Sequence, residues 1–152
     1  MAKKRSWLTA WVPRRLELYL SPAWRHAPRP VKNMLERLEV ENLRHGNFRN
    51  GELYVSYGQF VEAGISRRII KPTYQLAQAL GLLEVTQETE GHKGDLREPN
   101  AYRVCYLATG NHADIPPTDE WKSVTEDRAK SLVADYRSKE GKPAATGKRE
   151  AA

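Results

Sequence analysis

Between residues 31 and 43 the apolar positions Val31, Met34, Leu35, Leu38 and Leu43 recur near helical spacing, with Lys32, Glu36, Arg37, Glu39 and Glu41 among them. An apolar stripe with charges on the other faces predicts an amphipathic helix over about 30–44. Pro28 and Pro30 suit its start, and Gly46 suits its stop. The stretch from His45 to Gly51 is polar and reads as a loop, and Leu53-Tyr54-Val55 reads as a brief strand. A second helix is predicted from Ser56, a good N-cap, with Tyr57, Phe60 and Val61 as its apolar stripe and Gly64 at its end. After Ile65, Ser66 is another N-cap candidate. A third helix should follow to about Leu80, facing Ile69, Ile70, Tyr74, Leu76, Ala77 and Leu80 partly inward and stopping at Gly81.

The pattern then changes period. Leu82–Thr86 and Ala101–Leu107 are rich in β-branched and aromatic residues and predict two strands, separated by a polar stretch from Gln87 to Pro99. Near the N-terminus, Leu16–Leu20 alternates apolar and other residues, which predicts a short strand or extended segment ended by Ser21-Pro22. Trp24 should pack on the core. Trp7 and Trp11 are four apart and would share a face on a helix. Past Pro116-Pro117, the residues Thr118, Asp119 and Glu120 resemble a helix start, and Trp121, Val124, Ala129, Leu132, Val133 and Tyr136 extend that helix to about 138.

The order helix, short strand, helix, tight turn, helix, strand, polar loop, strand predicts an α+β chain of the winged helix-turn-helix class. Its three-helix core would carry a two- to three-stranded β wing and a C-terminal helix. The expected organisation is a basic N-terminal arm over 1–15, the winged domain over 16–108, a linker and C-terminal helix over 109–140, and a disordered tail over 141–152. The turn Phe60-Val61-Glu62-Ala63-Gly64-Ile65-Ser66 is the sharper signal, because glycine tolerates the left-handed backbone that costs other residues about 1 kcal/mol or more. Such a turn sets the third helix across the second and projects it toward a DNA major groove.

The side chains on that third helix suggest what it meets. Ser66, Arg67, Arg68, Lys71, Thr73 and Gln75 are the expected exposed set, and no acidic residue interrupts them. Arginine bonds guanine bidentately and glutamine bonds adenine, while serine and threonine reach phosphates or bases. Pro72 departs from the pattern, since mid-helix it would remove a donor and kink the chain. Either a short turn over 66–71 leads into a helix beginning at Pro72, or the proline lies close enough to the start to be tolerated. The polar loop is the expected wing, with His92, Lys93 and Arg97 as candidate backbone or minor-groove contacts. Glu88, Glu90, Asp95 and Glu98 oppose that role by repelling phosphate.

Charge strengthens the picture. The net charge is +6, and residues 1–30 hold seven basic side chains against Glu17 alone, so the excess sits at the N-terminus. Lys3, Lys4, Arg5, Arg14 and Arg15 are the expected phosphate-contacting arm. The single cysteine, Cys105, excludes an internal disulfide and a multi-cysteine zinc site and fits a reducing cytoplasm. His26, His45, His92 and His112 show no metal-ligand spacing, and Gly91-His92-Lys93-Gly94 lacks the phosphate-loop pattern. No apolar run is long enough to cross a bilayer. No cofactor, metal or enzymatic chemistry is expected.

From Trp11 to Leu107 the chain resembles small winged-helix proteins of alphaproteobacterial plasmids and integrative elements. The resemblance is carried by Ser21-Pro22-Ala23-Trp24-Arg25, Glu41-Asn42-Leu43-Arg44-His45-Gly46, Asn50-Gly51, Tyr57-Gly58-Gln59-Phe60, Gly64-Ile65, the run Ala79–Val85 and Pro99-Asn100, with Pro117-Thr118 and Glu120-Trp121 beyond it. It implies a helix-turn-helix or replication-initiator-like protein. The expected function is sequence-specific binding of double-stranded DNA by a homodimer acting as a transcriptional regulator. A replication or transfer accessory of a mobile element and a winged-helix protein-interaction module stay open beside it.

Overall fold

The structure, a computed structural model, describes residues 10–89 and 98–140. The expected tail over 141–152 therefore lies outside the described residues. The chain is α+β, with helices packed around a small antiparallel sheet. In order the elements are α1 (Leu16–Leu20), α2 (Pro22–His26), α3 (Arg29–Arg44), β1 (Leu53–Val55), α4 (Tyr57–Glu62), a 3₁₀ turn (Arg67–Ile69), α5 (Ile70–Ala79), β2 (Leu83–Gln87), β3 (Asn100–Val104), a second 3₁₀ turn (Glu120–Ser123) and α6 (Glu126–Glu140).

The first departure from the sequence pattern is Leu16–Leu20, which is helical rather than extended. Of its three leucines only Leu18 is buried, while Leu16 and Leu20 are 71% and 64% exposed. Five residues of alternation fit a helical turn as well as a strand, and here the chain reversal at Ser21 decides. The Ser21 hydroxyl donates to the Leu18 carbonyl at 2.7 Å and accepts from the Trp24 N–H at 3.2 Å. It therefore closes α1 and caps α2, whose first turn takes Pro22 at no hydrogen-bonding cost.

The long helix α3 forms where the apolar stripe placed it and buries Val31, Met34, Leu35 and Leu38. The Ser56 cap of α4 is a full capping box: its hydroxyl accepts from the Gln59 N–H at 3.1 Å, and the Gln59 side chain accepts from the Ser56 N–H at 2.8 Å. Ser56→Ala should therefore cost about 1 kcal/mol in urea unfolding, and a loss near zero would mean that water caps this end equally well.

The three strands order as β1-β3-β2, all antiparallel, with Leu53 opposite Tyr102 and Leu83 opposite Val104. β3 is central, so it buries both faces, whereas β2 exposes its outer half. Asn50 ties the loop before β1 to the far end of β3. Its amide donates to the carbonyls of Val104, Leu107 and Ala108 at 2.9–3.2 Å and accepts from the Val104 N–H at 2.7 Å.

The C-terminal helix begins later than its sequence suggests. Glu120–Ser123 is a 3₁₀ turn, and α6 starts at Glu126, with Thr125 accepting from the Arg128 N–H at 3.1 Å. This part belongs to the same core: Trp121, Ala129, Val133 and Tyr136 are buried, and α6 packs on α2 and α5. Arg103 of β3 bonds Glu84, Thr118 and Glu120 at 2.6–2.8 Å and fastens the connector to the sheet. Burial opposes the charge of Glu120, but hydrogen bonds from the Thr118 hydroxyl and the Arg103 guanidinium outweigh it and lower the carboxyl to about 2. Among the described residues no helix is long and apolar enough to cross a membrane.

Candidate nucleic-acid interface

The segment expected to form the helix-turn-helix consists of α4, a tight turn and α5. Gly64 takes φ +99°, its N–H bonds the Val61 carbonyl at 3.0 Å, and the Ile65 N–H bonds the Phe60 carbonyl at 3.1 Å. This paired hydrogen-bond closure of a helix end requires the left-handed residue that glycine supplies. Ile65 is buried at the corner. The chain then makes one 3₁₀ turn before α5. Ile69 and Ile70 are both buried, and they hold the turn so that Ser66, Arg67 and Arg68 stand exposed.

Several sequence expectations for this region change. Ser66 occupies the cap position but its side chain makes no capping bond. Arg67 and Arg68 lie in the 3₁₀ turn, because the α-helix proper begins only at Ile70. That boundary also accommodates Pro72. It is the third residue of α5, within the first turn, whose N–H groups have no helical partner in any case.

Thr73 is corrected outright. It is fully buried, and its hydroxyl meets the Tyr136 hydroxyl at 2.8 Å, so it joins α5 to α6 and presents nothing outward. The reason is α6, which covers the face of α5 that a bare three-helix unit would leave open. Gln75 is exposed, and it borders a shallow groove of about 150 Å³ with Leu132, Asp135 and Lys139 of α6. Lys71 is exposed, with its ammonium 4.0 Å from Glu88. The outward set brought together is thus Ser66, Arg67, Arg68 and Lys71, with Gln75 to one side.

The expected arm divides. Lys3, Lys4 and Arg5 lie outside the described residues. Arg14 is not a phosphate contact but a structural cation: its guanidinium bonds Glu39 at 2.7 and 2.9 Å and lies 5.1 Å from the centre of the Trp24 ring. Arg15 pairs with Glu17 at 2.7 Å and with Asp119, which ties α1 to the connector before α6. Both positions look like free arm residues in the sequence because the acids that tie them to the rest of the fold, Glu39 and Asp119, lie 25 and 104 residues away. Trp11 stands on irregular backbone and is 56% exposed, and its expected partner Trp7 lies outside the described residues.

The expected wing residues His92, Lys93 and Arg97 also lie outside the described residues. The base of that hairpin is described, and it brings in two residues that the sequence reading did not place in the site. Tyr74 donates its hydroxyl to Glu88 at 2.5 Å. Burial, with hydrogen bonds to Glu88 and Tyr57, raises the Tyr74 phenol well above its usual range, so it stays protonated and donates. The available signal was Glu88 itself, the acidic residue of the polar loop nearest the preceding strand.

Elsewhere, Cys105 is buried and burial pushes its thiol up, which fits a packing role. Among the described residues no three His, Cys, Asp or Glu side chains are grouped to hold a metal ion. Comparison with protein families, curated proteins and solved structures finds no match to this chain.

Proposed function

We propose that this chain is a winged-helix protein that binds double-stranded DNA sequence-specifically, as a cytoplasmic homodimer, and acts as a transcriptional regulator. One observation carries the reading. A cationic segment, Arg67, Arg68 and Lys71, stands outward at the start of a helix whose opposite face is buried through Ile69, Ile70, Thr73 and Tyr74. A helix seated in this way has little freedom to rotate, so its cations are preorganised against a groove.

The flanking antiparallel strands β2 and β3 supply the hairpin that a winged helix sets beside its recognition helix. Arginine in the first turn suits guanine edges, and lysine suits phosphate or guanine. The single recognition helix covers few base pairs, which favours two copies on one site. The apolar side of α6 is consumed by its own core, so the homodimer contact falls to another surface.

Selection of bound duplexes from a random pool would provide the cognate site. On that site Arg67→Ala or Arg68→Ala should cost about 1–3 kcal/mol, with a smaller loss on random duplex. Equal loss on both overturns base reading at that position. No retardation of any duplex at low salt and micromolar protein overturns DNA binding and leaves a protein-interaction module. The resemblance to mobile-element proteins favours a second role as a replication or transfer accessory, and footprints over several spaced repeats would identify it.

A further inference from the structure

The base of the hairpin is locked to α5 through a closed circuit of contacts. The Thr89 N–H donates to the Asn100 side-chain oxygen at 2.9 Å, and its hydroxyl donates to the Glu98 carbonyl at 2.9 Å. Asn100 is 1% exposed and donates its amide to the Tyr102 hydroxyl at 3.3 Å. The Tyr102 ring meets the Tyr74 ring edge-on, with centroids 5.9 Å apart. Tyr74 returns to the start by donating to Glu88, the residue before Thr89.

Glu88 is consequently a surface carboxylate that is held in place. Its side chain is 47% exposed, yet Oε2 takes the Tyr74 hydroxyl at 2.5 Å and lies 4.0 Å from the Lys71 ammonium. A solvated glutamate would swing away from an approaching phosphate, and one tethered to a buried tyrosine resists doing so. Beside Lys71 it has two effects. It weakens the sequence-independent attraction to phosphate, and it offers an acceptor that a base-edge amino group satisfies.

We infer that Glu88 is a specificity-determining residue of the DNA interface. Held by Tyr74, its carboxylate accepts the exocyclic amino group of a cytosine in the major groove and disfavours duplexes that place oxygen there. The inference rests on the DNA-binding reading and adds a discriminating contact outside the recognition helix. Specificity is a difference of affinities, and a fixed charge that penalises wrong partners enlarges it. Tyr74 is a positioning residue, acting through Glu88.

The test is selection from a random duplex pool with the full-length wild type, Glu88→Gln and Tyr74→Phe, with thermal unfolding of each to establish folding. The wild type should enrich cytosine at one position of its site. Glu88→Gln should lose that preference, keep the other positions and bind random duplex about tenfold more tightly, since it removes a like charge from the interface. Tyr74→Phe keeps the charge but releases the carboxylate, so the cytosine preference should weaken without the tenfold gain in random-duplex affinity expected of Glu88→Gln. An unchanged site and unchanged random-duplex affinity for Glu88→Gln overturn the inference and leave the DNA-binding reading intact. A wild type that binds no duplex at all removes both.

Discussion

Glu39→Ala should cost about 3–5 kcal/mol of folding stability, because it takes the shared acceptor from a part-buried cation and a buried phenol. Glu39 is 5% exposed on the inner side of α3. It takes both guanidinium hydrogen bonds of Arg14 at 2.7 and 2.9 Å and the hydroxyl of Tyr106, itself 1% exposed. Hydrogen bonding to Glu39 raises the Arg14 guanidinium further above its usual range, against the opposing effect of burial. Burial pushes the Tyr106 phenol up, so it remains a donor.

The carboxylate thus balances a part-buried guanidinium and a buried phenol together, and it anchors the segment before α1 to the core. Urea unfolding with an unchanged m-value measures the loss. The triple variant Arg14→Met, Glu39→Leu, Tyr106→Phe should lie closer to wild type than Glu39→Ala alone, because an apolar replacement removes the whole network instead of half of it. A loss under about 1 kcal/mol for Glu39→Ala would show that solvent satisfies Arg14 and Tyr106 without it.

Gly81→Ala is expected to cost about 2–4 kcal/mol, from backbone strain together with a steric clash. Gly81 ends α5 with φ +75°, its N–H bonding the Gln78 carbonyl at 2.9 Å while the Leu82 N–H bonds the Ala77 carbonyl at 3.0 Å. A β-carbon there would lie 2.6 Å from the Trp121 nitrogen and 2.7 Å from the Glu120 carbonyl carbon. Both are backbone atoms of the 3₁₀ turn that seats Trp121, so no side-chain rotation relieves the contact. Gly51→Ala is the internal comparison. Its φ is +108°, but a β-carbon there has nothing within 4 Å. It should carry backbone strain alone, and equal losses at the two positions would show that the approach of Glu120-Trp121 is not rigid.

The elements that the sequence revealed share a property: their signals are local. The stripe from Val31 to Leu38, the Ser56 cap with Gln59 three residues on, the Gly64-Ile65 turn and the Gly81 stop are each decided within one or two turns of chain. Arg67, Arg68 and Lys71 were placed outward correctly because the buried pair Ile69 and Ile70 between them fixes the phase. Leu16–Leu20 misled because five residues are too few to separate a period of two from one of 3.6. Thr73, Arg14 and Glu88 depend on partners far along the chain, and neither propensity nor periodicity reports those.

The residue pattern alone thus determined the α+β class, the order of the central elements and the cationic start of the third helix. Only the tertiary structure decided that α6 joins the core, that Thr73 turns inward to Tyr136, that Arg14 belongs to Glu39 and that Tyr74 grips Glu88. The physical reason is separation along the chain. Backbone preference and amphipathic phase are set by neighbours a few residues away. A threonine, an arginine or a glutamate acquires its role from whichever distant group folding brings within hydrogen-bond reach.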